Sequence, residues 1–310
     1  MSAIAGFRRR DGSVGVRNHL FVAPAVVCAN QVAIDAAAQV PGLKHVEHQH
    51  GCAQVGVDNL QAQAVFSALA QHPNVSASML VGLGCEGIMA DHVYDLARAR
   101  GRAPVELTVI QEAGGTLGAE AAVKRWAAAR SAAAQAEVRA PARAAVLRIG
   151  GMADPDAETS AALPALLRAL RDAGYRLIVP LALAPALRRS GGEPREVRYG
   201  EEADAAALAM RGGETPLEVA TGLAAAGAVL VLHVAARVHA FGLPVVPLLR
   251  VAATEPLQAA AGGDLDGSLT APAAVPAVLD ALVQAINGRP TVAEELELDD
   301  FALYRIGPTV

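Results

Sequence analysis

Ser78-Met79-Leu80-Val81-Gly82-Leu83-Gly84 is an apolar run that predicts a buried strand, and Cys85-Glu86-Gly87 follows directly at its carboxyl end. Strands of the same kind are expected at residues 20–28, 45–50 and 105–110, and segments with helical spacing separate them. This alternation of strand, loop and helix is typical of a parallel sheet flanked by helices.

A second alternating unit is expected after a linker near residue 142. With 310 residues and 53% hydrophobic content, the chain can bury two ordinary cores. We therefore predict an α/β fold of two Rossmann-like units with mostly parallel sheets flanked by helices. The first domain would span residues 1–142 and carry the Cys/His motifs, and the second would span residues 143–310. A fragment ending near Arg139 is then expected to be soluble.

Composition excludes several classes of function. The net charge is −5 and the longest basic block is Arg8-Arg9-Arg10, which argues against a nucleic-acid partner. No segment reaches the roughly 18 unbroken apolar residues of a membrane span, and the start of the sequence lacks the order of a signal peptide. We predict a cytoplasmic protein whose cysteines are thiols or ligands rather than a disulfide framework.

Polar side chains gather where the predicted strands end. They are Cys28 and Asn30 after the first strand, His48, His50 and Cys52 after the second, Cys85 and Glu86 after the third, and Gln111 and Glu112 after the fourth. In parallel sheets, ligands bind in the crevice beyond the carboxyl ends of the strands. The sequence therefore predicts one site at this edge.

Imidazole, thiolate and carboxylate groups are the ligands of a borderline divalent ion such as iron(II) or zinc. The candidate metal ligands are His50, Cys52, Cys85 and Glu86. Cys28 is either a further ligand or a small buried hydrophobe. An alternative is that Cys52, flanked by His48 and His50, is an activated thiolate in a cysteine-dependent hydrolase.

Two other segments are candidates for substrate binding. Arg17 and Asn18 could clamp a carboxylate, or could belong to a solvated loop before a strand. Gly114 and Gly115 precede a helix and could hold an anion on main-chain N–H groups, or could form a tight turn.

Motifs in a fixed order occupy about the first 120 residues: Phe7-Arg8-Arg9-Arg10-Asp11-Gly12, Val14-Gly15-Val16-Arg17-Asn18-His19, Val27-Cys28-Ala29-Asn30, His48-Gln49-His50-Gly51-Cys52-Ala53-Gln54, His72-Pro73-Asn74-Val75, Gly82-Leu83-Gly84-Cys85-Glu86 and Gln111-Glu112-Ala113-Gly114-Gly115-Thr116. Together they resemble the altronate/galactarate dehydratase family, which also includes the large subunit of sulfolactate sulfo-lyase. The resemblance implies a lyase dependent on a divalent metal, usually Fe²⁺ with Mn²⁺ or Zn²⁺ as alternatives, that converts a sugar acid or a related hydroxy acid to a 2-keto-3-deoxy product.

On this interpretation, His48 or Glu112 would carry protons, and the metal ligands would be the four named above. Substrate would be held by Arg17, Asn18, Asn30, Gln111, Gly114, Gly115 and Arg237. A separate small subunit and a homo-oligomer are compatible with the resemblance, and no membrane partner is expected.

The second half departs from the family pattern. Residues 148–154 lack the cysteine and serine of a Cys-Gly-Gly-Ser-Asp motif, and Ala235-Ala236-Arg237-Val238-His239 replaces a Thr-Gly-Arg-Gly turn. The alternative function is therefore a non-catalytic, metal- or ligand-binding paralogue. We also expect the second unit to pack over the first, bringing Arg237, His239 and Tyr199-Gly200-Glu201 towards His50 and Cys85.

Overall fold

The computed structural model describes residues 3–52, 54–157 and 162–307. The strands are Ile4–Arg8 (β1), Val14–Gly15 (β2), His19–Pro24 (β3), Leu43–His45 (β4), Val75–Gly82 (β5), Val105–Val109 (β6), Ala140–Ala142 (β7), Arg148–Ala153 (β8), Arg176–Pro180 (β9), Arg195–Val197 (β10), Ala207–Met210 (β11), Leu230–Ala235 (β12), Leu248–Ala252 (β13) and Gly267–Ser268 (β14). The helices are Asn30–Gln39 (α1), Gly56–Ala70 (α2), Ala90–Arg100 (α3), Thr116–Ala136 (α4), Ala162–Asp172 (α5), Ala184–Arg189 (α6), Pro216–Ala225 (α7), Glu255–Ala261 (α8), Val275–Ile286 (α9) and Val292–Glu295 (α10). Within these ranges no helix is long and apolar enough to cross a membrane.

The first unit is built on a four-stranded parallel sheet with the order β4-β3-β5-β6. Apolar residues of α1 and α4 cover one face, and those of α2 and α3 cover the other. Every residue of β5 is buried, as expected for a central strand covered on both faces. The alternation seen in the sequence therefore produces the predicted sheet, and its loops converge at one edge.

The second unit is built on a seven-stranded sheet with the order β10-β11-β9-β8-β12-β13-β14, in which every pair is parallel. Helices α5 and α9 pack on one face, and α7 packs on the other. Helix α7 begins with a capping box, in which the Thr215 side chain and the Glu218 carboxylate each accept from the other's main-chain N–H group. The predicted α/β class is confirmed for both units.

A third, antiparallel sheet, which no pattern in the sequence predicted, joins the two units. Strand β1 pairs with β2 on one side and with β7 on the other. Strand β7 lies in the segment expected to be a linker. Two of the short strands, β2 and β7, have only two and three residues, too few for an alternating pattern to be visible in the sequence.

The two units share a hydrophobic core. Val65 and Phe66 of α2 belong to the same buried cluster as Met210 of β11 and Leu223 of α7. Gly200 lies in this contact, where an added Cβ atom would be 3.0 Å from Val65 and 3.2 Å from Ala225. The inner face of the first unit is therefore buried by the second unit rather than by its own helices alone.

Buried polar residues connect the same faces. The Asn74 amide donates to the carbonyl groups of Val229 and Val245, at 2.9 Å each, and accepts from the N–H of Val16 at 2.7 Å. His72 contacts the carbonyl oxygen of Ala228 at 3.1 Å. The His72-Pro73-Asn74 motif is thus a structural bridge between the units.

The shared core makes an isolated first unit unfavourable. A fragment ending at Arg139 would expose the apolar side of α2 and leave Asn74 without its carbonyl partners, and we now expect it to aggregate or to bind a hydrophobic dye. Gel filtration and near-ultraviolet circular dichroism would measure this. A monomeric fragment with a cooperative thermal transition would instead support the two independent domains predicted from the sequence.

Candidate active site

Three loops meet at the carboxyl edge of the first sheet because main-chain groups of one loop bond to the next. Val27 N–H donates to the His50 carbonyl oxygen at 2.8 Å, and Ile88 N–H donates to the Gly51 carbonyl oxygen at 2.9 Å. Gly51 has a φ of +119°, and a Cβ atom there would lie 2.7 Å from Val26. Only glycine allows this close approach.

These loops bring Cys28, Cys52 and Cys85 together. All three are free and exposed, and Cys28 and Cys85 both lie close enough to Cys52 to affect its thiol. Desolvation, followed by the neighbouring Cys28, raises the pKa of the Cys52 thiol. Cys28, which the sequence left open as ligand or core residue, is therefore a surface member of the cluster.

The geometry argues against Cys52 as an activated nucleophile. A catalytic thiolate needs a lowered pKa and an adjacent base, whereas the pKa of Cys52 is raised. Both nitrogens of the His48 ring are bonded to main-chain groups, so that ring offers no free base.

His48 is a buried positioning residue. Its Nδ1 accepts from the N–H of His50 at 3.1 Å, and its Nε2 lies 2.8 Å from the Pro24 carbonyl oxygen, to which it donates. Burial lowers the pKa of His48 to about 4, and its ring packs against Phe66 with centroids 4.6 Å apart. A neutral imidazole with both nitrogens in use orders the loop and does not readily carry a proton.

Glu86 builds the turn that presents Cys85. Its buried carboxylate accepts from the main-chain N–H groups of Leu83 at 3.2 Å and Gly84 at 2.5 Å. Gly84 has a φ of +114°, which favours glycine, and the Gln111 side chain lies against it. Glu86 thus has a main-chain role that the sequence pattern could not distinguish from a ligand.

His50 lines a cleft of about 590 Å³ together with Asn30, Phe301 and Arg305. Its Nδ1 lies 2.9 Å from Nε2 of the Gln54 amide, and its pKa is lowered by burial and then by Arg305. The Gln54 Oε1 atom is buried and has no partner in the part of the chain that the structure describes. Rotation of the Gln54 amide would let its Oε1 atom accept a hydrogen bond from the Nδ1–H group of His50. The Nε2 atom of His50 would then be free to bind a metal, an arrangement common for ligating histidines.

The cleft includes two residues that the sequence analysis missed. Phe301 and Arg305 come from the carboxyl-terminal segment, in which the sequence indicated no site residue. Asp58 of α2 holds this segment by accepting from the N–H groups of Ile306 and Gly307, at 2.7 and 2.8 Å. The basic Arg305 was the one available signal, but nothing local indicated where it would lie.

The loop after β6 reaches the same edge. Glu112 is exposed and its carboxylate has no hydrogen-bond partner within the described residues. Gly115 is the N-cap of α4, and no heavy atom of the described residues lies within 4 Å of a Cβ atom added at Gly114 or Gly115. This leaves open space at a helix amino terminus, where main-chain N–H groups attract anions.

Arg17 and Asn18 lie at the other end of the sheet. They precede β3, whereas the cysteine loops follow it, and six residues of strand span about 20 Å. Arg17 forms a bidentate ion pair with Glu294, with both distances 2.7 Å, and Asn18 donates to the Ala134 carbonyl oxygen at 2.8 Å. The structure gives both residues contacts that connect parts of the fold.

The second-unit loops do not reach the cleft at His50 in the described part of the chain. Arg237 is exposed and pairs with Asp156 at 2.8 Å, and His239 lies against Asp154. The Tyr199 hydroxyl donates to the Glu218 carbonyl oxygen at 2.6 Å, within the shared core. The carboxyl-terminal segment covers His50 in their place.

The donors at this edge suit a borderline metal ion. Three exposed thiols and one imidazole are ligands that iron(II) and zinc accept, and the unpartnered oxygens of Gln54 and Asn30 are nearby. Cys28, Cys52, Cys85 and His50 are therefore ligand types suited to such an ion, although in the described residues their ligand atoms do not all lie within 4.8 Å of one another, so binding one ion would require their loops to move.

Comparisons with known proteins identify the family of this chain. Residues 6–136 match the family model for the D-galactarate dehydratase/altronate hydrolase second domain, and residues 195–309 match the model for the D-galactarate/altronate dehydratase carboxyl-terminal region. Together the two matches cover more than half of the chain.

Curated relatives match over shorter stretches. Altronate dehydratase of Escherichia coli (strain K12) is 34% identical over 90 residues, and that of Bacillus subtilis (strain 168) is 34% identical over 91 residues. Each alignment covers 26% of this chain but only 18% of the relative. The (2R)-sulfolactate sulfo-lyase subunit beta of Chromohalobacter salexigens is 33% identical over 109 residues, which is 35% of this chain and 27% of that subunit. The chain belongs to the D-galactarate dehydratase/altronate hydrolase family.

Proposed function

We propose that this protein is a metal-dependent hydro-lyase that removes water from a sugar acid or a related small hydroxy acid to give a 2-keto-3-deoxy product. The observation that carries the proposal is the position of three exposed thiols and His50 on loops at one edge of the first sheet, where His50 and Arg305 line a cleft. Family membership supports a lyase of this type.

The substrate must be oriented by its charge and by its hydroxyl groups. Arg305, at the rim of the cleft, would pair with a carboxylate, because guanidinium groups bind carboxylates in a bidentate manner. The Asn30 Oδ1 atom is buried and has no partner among the described residues, and a small movement of its side chain would let it accept from a substrate hydroxyl. Gln111 and the N–H groups near Gly114 and Gly115 would bind the more distant part of the acid.

Dehydration requires removal of the hydrogen α to the carboxylate and loss of the β-hydroxyl group. A divalent ion bound by Cys28, Cys52, Cys85 and His50 would supply Lewis-acid polarisation of the substrate carboxylate and hydroxyl. Glu112 is the proton carrier favoured by the geometry, because its carboxylate is exposed and unpartnered at the same edge. His48, whose ring nitrogens are both bonded, would hold the His50 loop in place.

Turnover on a panel of altronate, galactarate and sulfolactate tests the proposal. Protein purified without air and supplied with Fe²⁺ should form a 2-keto-3-deoxy acid from altronate or galactarate with loss of water. Turnover of sulfolactate alone, which would release sulfite to give pyruvate, would contradict the hydro-lyase. Glu112→Gln should then lower kcat by about 10²- to 10⁴-fold, the usual contribution of a positioned acid or base. Glu193→Gln, at an exposed position of the second unit, is the matched control. Unchanged turnover in Glu112→Gln would remove that residue from the mechanism.

A non-catalytic paralogue is the second candidate. It is favoured by residues 137–194, which lie between the two family matches, and by the small share of each curated relative that is aligned. Metal binding without turnover of any acid in the panel would support this function over the lyase.

The proposed setting follows from the thiols and from the relatives. Three exposed free cysteines fit a reducing compartment such as the cytoplasm. One relative is named as the beta subunit of a sulfo-lyase, so we propose a separate small subunit as a partner of this chain.

A further inference from the structure

A second group of metal-ligand side chains lies in the second unit, at the carboxyl edge of its own sheet. Asp154 directly follows β8, His233 lies in the neighbouring β12, and His239 lies in the loop after β12. Asp154 N–H donates to the Val234 carbonyl oxygen at 3.1 Å, which fixes the position of Asp154 beside β12. None of these residues takes part in the thiol cluster or the cleft at His50.

The three side chains point at a common position. His233 Nε2 lies 2.9 Å from Asp154 Oδ1, and His239 Nε2 lies 3.0 Å from Oδ1 and 2.9 Å from Oδ2. Among the described residues, no other group of three His, Cys, Asp or Glu side chains has its ligand atoms all within 4.8 Å of one another. Atoms that bind one ion at about 2.1 Å in octahedral geometry are themselves about 3 Å apart.

The surroundings hold this arrangement in place. The Asp154 Oδ2 atom also accepts from the N–H groups of Ala236 and Arg237, at 2.8 and 3.2 Å, so the carboxylate cannot rotate freely. Phe241 packs against both imidazoles, with ring centroids 5.9 Å from each. His233 and Asp154 are buried, whereas His239 is partly exposed and would give an ion a route in from solvent.

We propose that Asp154, His233 and His239 bind a divalent first-row transition-metal ion, such as Zn²⁺ or Fe²⁺, at a site separate from the thiol cluster. Two imidazoles and one carboxylate select such ions over Mg²⁺ and Ca²⁺, which prefer oxygen ligands alone. Three protein ligands leave coordination positions open on the His239 side. The site would therefore accept a water molecule or an oxygen ligand as well as the ion.

The competing explanation is an Asp154 carboxylate that only accepts hydrogen bonds from two neutral histidines. Zinc binding distinguishes this explanation from the proposed metal site, provided that the thiols do not bind the zinc. All three cysteines are exposed, so alkylation with iodoacetamide should block them without disturbing the second unit. Isothermal titration of alkylated, metal-free protein with Zn²⁺ is expected to give one equivalent, and the thermal midpoint should rise when zinc is present.

The variants then identify the ligands. His239→Gln should weaken Zn²⁺ binding by at least about tenfold, while His92→Gln, at an exposed position on α3, should bind as the unchanged protein does. Asp154→Asn serves as a second variant, because it keeps one oxygen acceptor for the main chain. Thermal melting without metal checks the fold of each. Absence of a zinc equivalent in the alkylated protein, or equal binding by His239→Gln, would overturn the proposal.

Discussion

Replacing Asn74 with alanine is expected to lower the free energy of unfolding by about 4 kcal/mol. The buried Asn74 amide donates to the carbonyl groups of Val229 and Val245 and accepts from the N–H groups of Val16 and Arg17. Alanine would leave these four groups buried without their partner, at about 1–3 kcal/mol for each that stays unsatisfied. Relaxation of the two loops should recover part of that sum.

Urea denaturation followed by circular dichroism would measure the change. Asn287→Ala is the matched control, since that amide also bonds two main-chain groups, of Ala3 and Ala5, but does so at the surface. Its cost should stay below about 1 kcal/mol because water can replace the lost bonds. Equal midpoints for Asn74→Ala and the unchanged protein would show that Asn74 is not a bridge between the units.

Lowering the pH from 7 to 5 should remove about 4 kcal/mol of stability through two buried histidines. Burial lowers the pKa of His48 to about 4 and that of His72 to about 3, from an ordinary value near 6.5. Below pH 6.5 the unfolded chain therefore binds protons that the folded chain does not. The contribution of each histidine to the free energy of unfolding is complete above pH 6.5 and is lost as the pH falls towards its pKa in the folded state. At pH 5 each has lost about 2 kcal/mol.

Unfolding measured at intervals between pH 5 and 7 would test this slope. His72→Asn should reduce the pH dependence of the free energy of unfolding by up to about 1.4 kcal/mol per pH unit. The side-chain oxygen of the introduced asparagine can still accept from the Asn74 N–H group, which donates to His72 Nδ1 in the unchanged protein. His92→Gln, at an exposed position, should leave the slope unchanged. A pH-independent stability across this range would mean that both histidines titrate normally in the folded state.

Alternation of apolar runs with helical segments predicted both parallel sheets, because each buried strand has a local signature. The order of strands in the second sheet and the pairing of β1 with β7 depend on contacts between distant residues, which no local pattern records. The same reason explains the shared core. Val65 and Phe66 have helical spacing in the sequence whether they face their own sheet or α7.

The candidate site was predictable where it depends on strand ends. Cys52, Cys85 and His50 were placed at one edge by the rule for parallel sheets. Arg17 pairs with Glu294 in the structure, and an arginine before a strand looks the same in the sequence whether it binds substrate or another side chain. The Asp154 group was missed since its members are 79 and 85 residues apart, and their meeting depends on β8 lying beside β12.

Metal content and turnover, measured on the same anaerobic sample of the unchanged protein and of Cys52→Ser, test the central claim most directly. Cys52 lies in the loop between β4 and α2, and Cys28 and Cys85 are both near it. We predict that Cys52→Ser loses about one equivalent of metal and that its turnover falls at least about 100-fold, with the fold retained, because the residue is exposed on a loop. Full metal content together with undiminished turnover in Cys52→Ser would contradict the claim that the thiols at this edge form the metal site of the lyase.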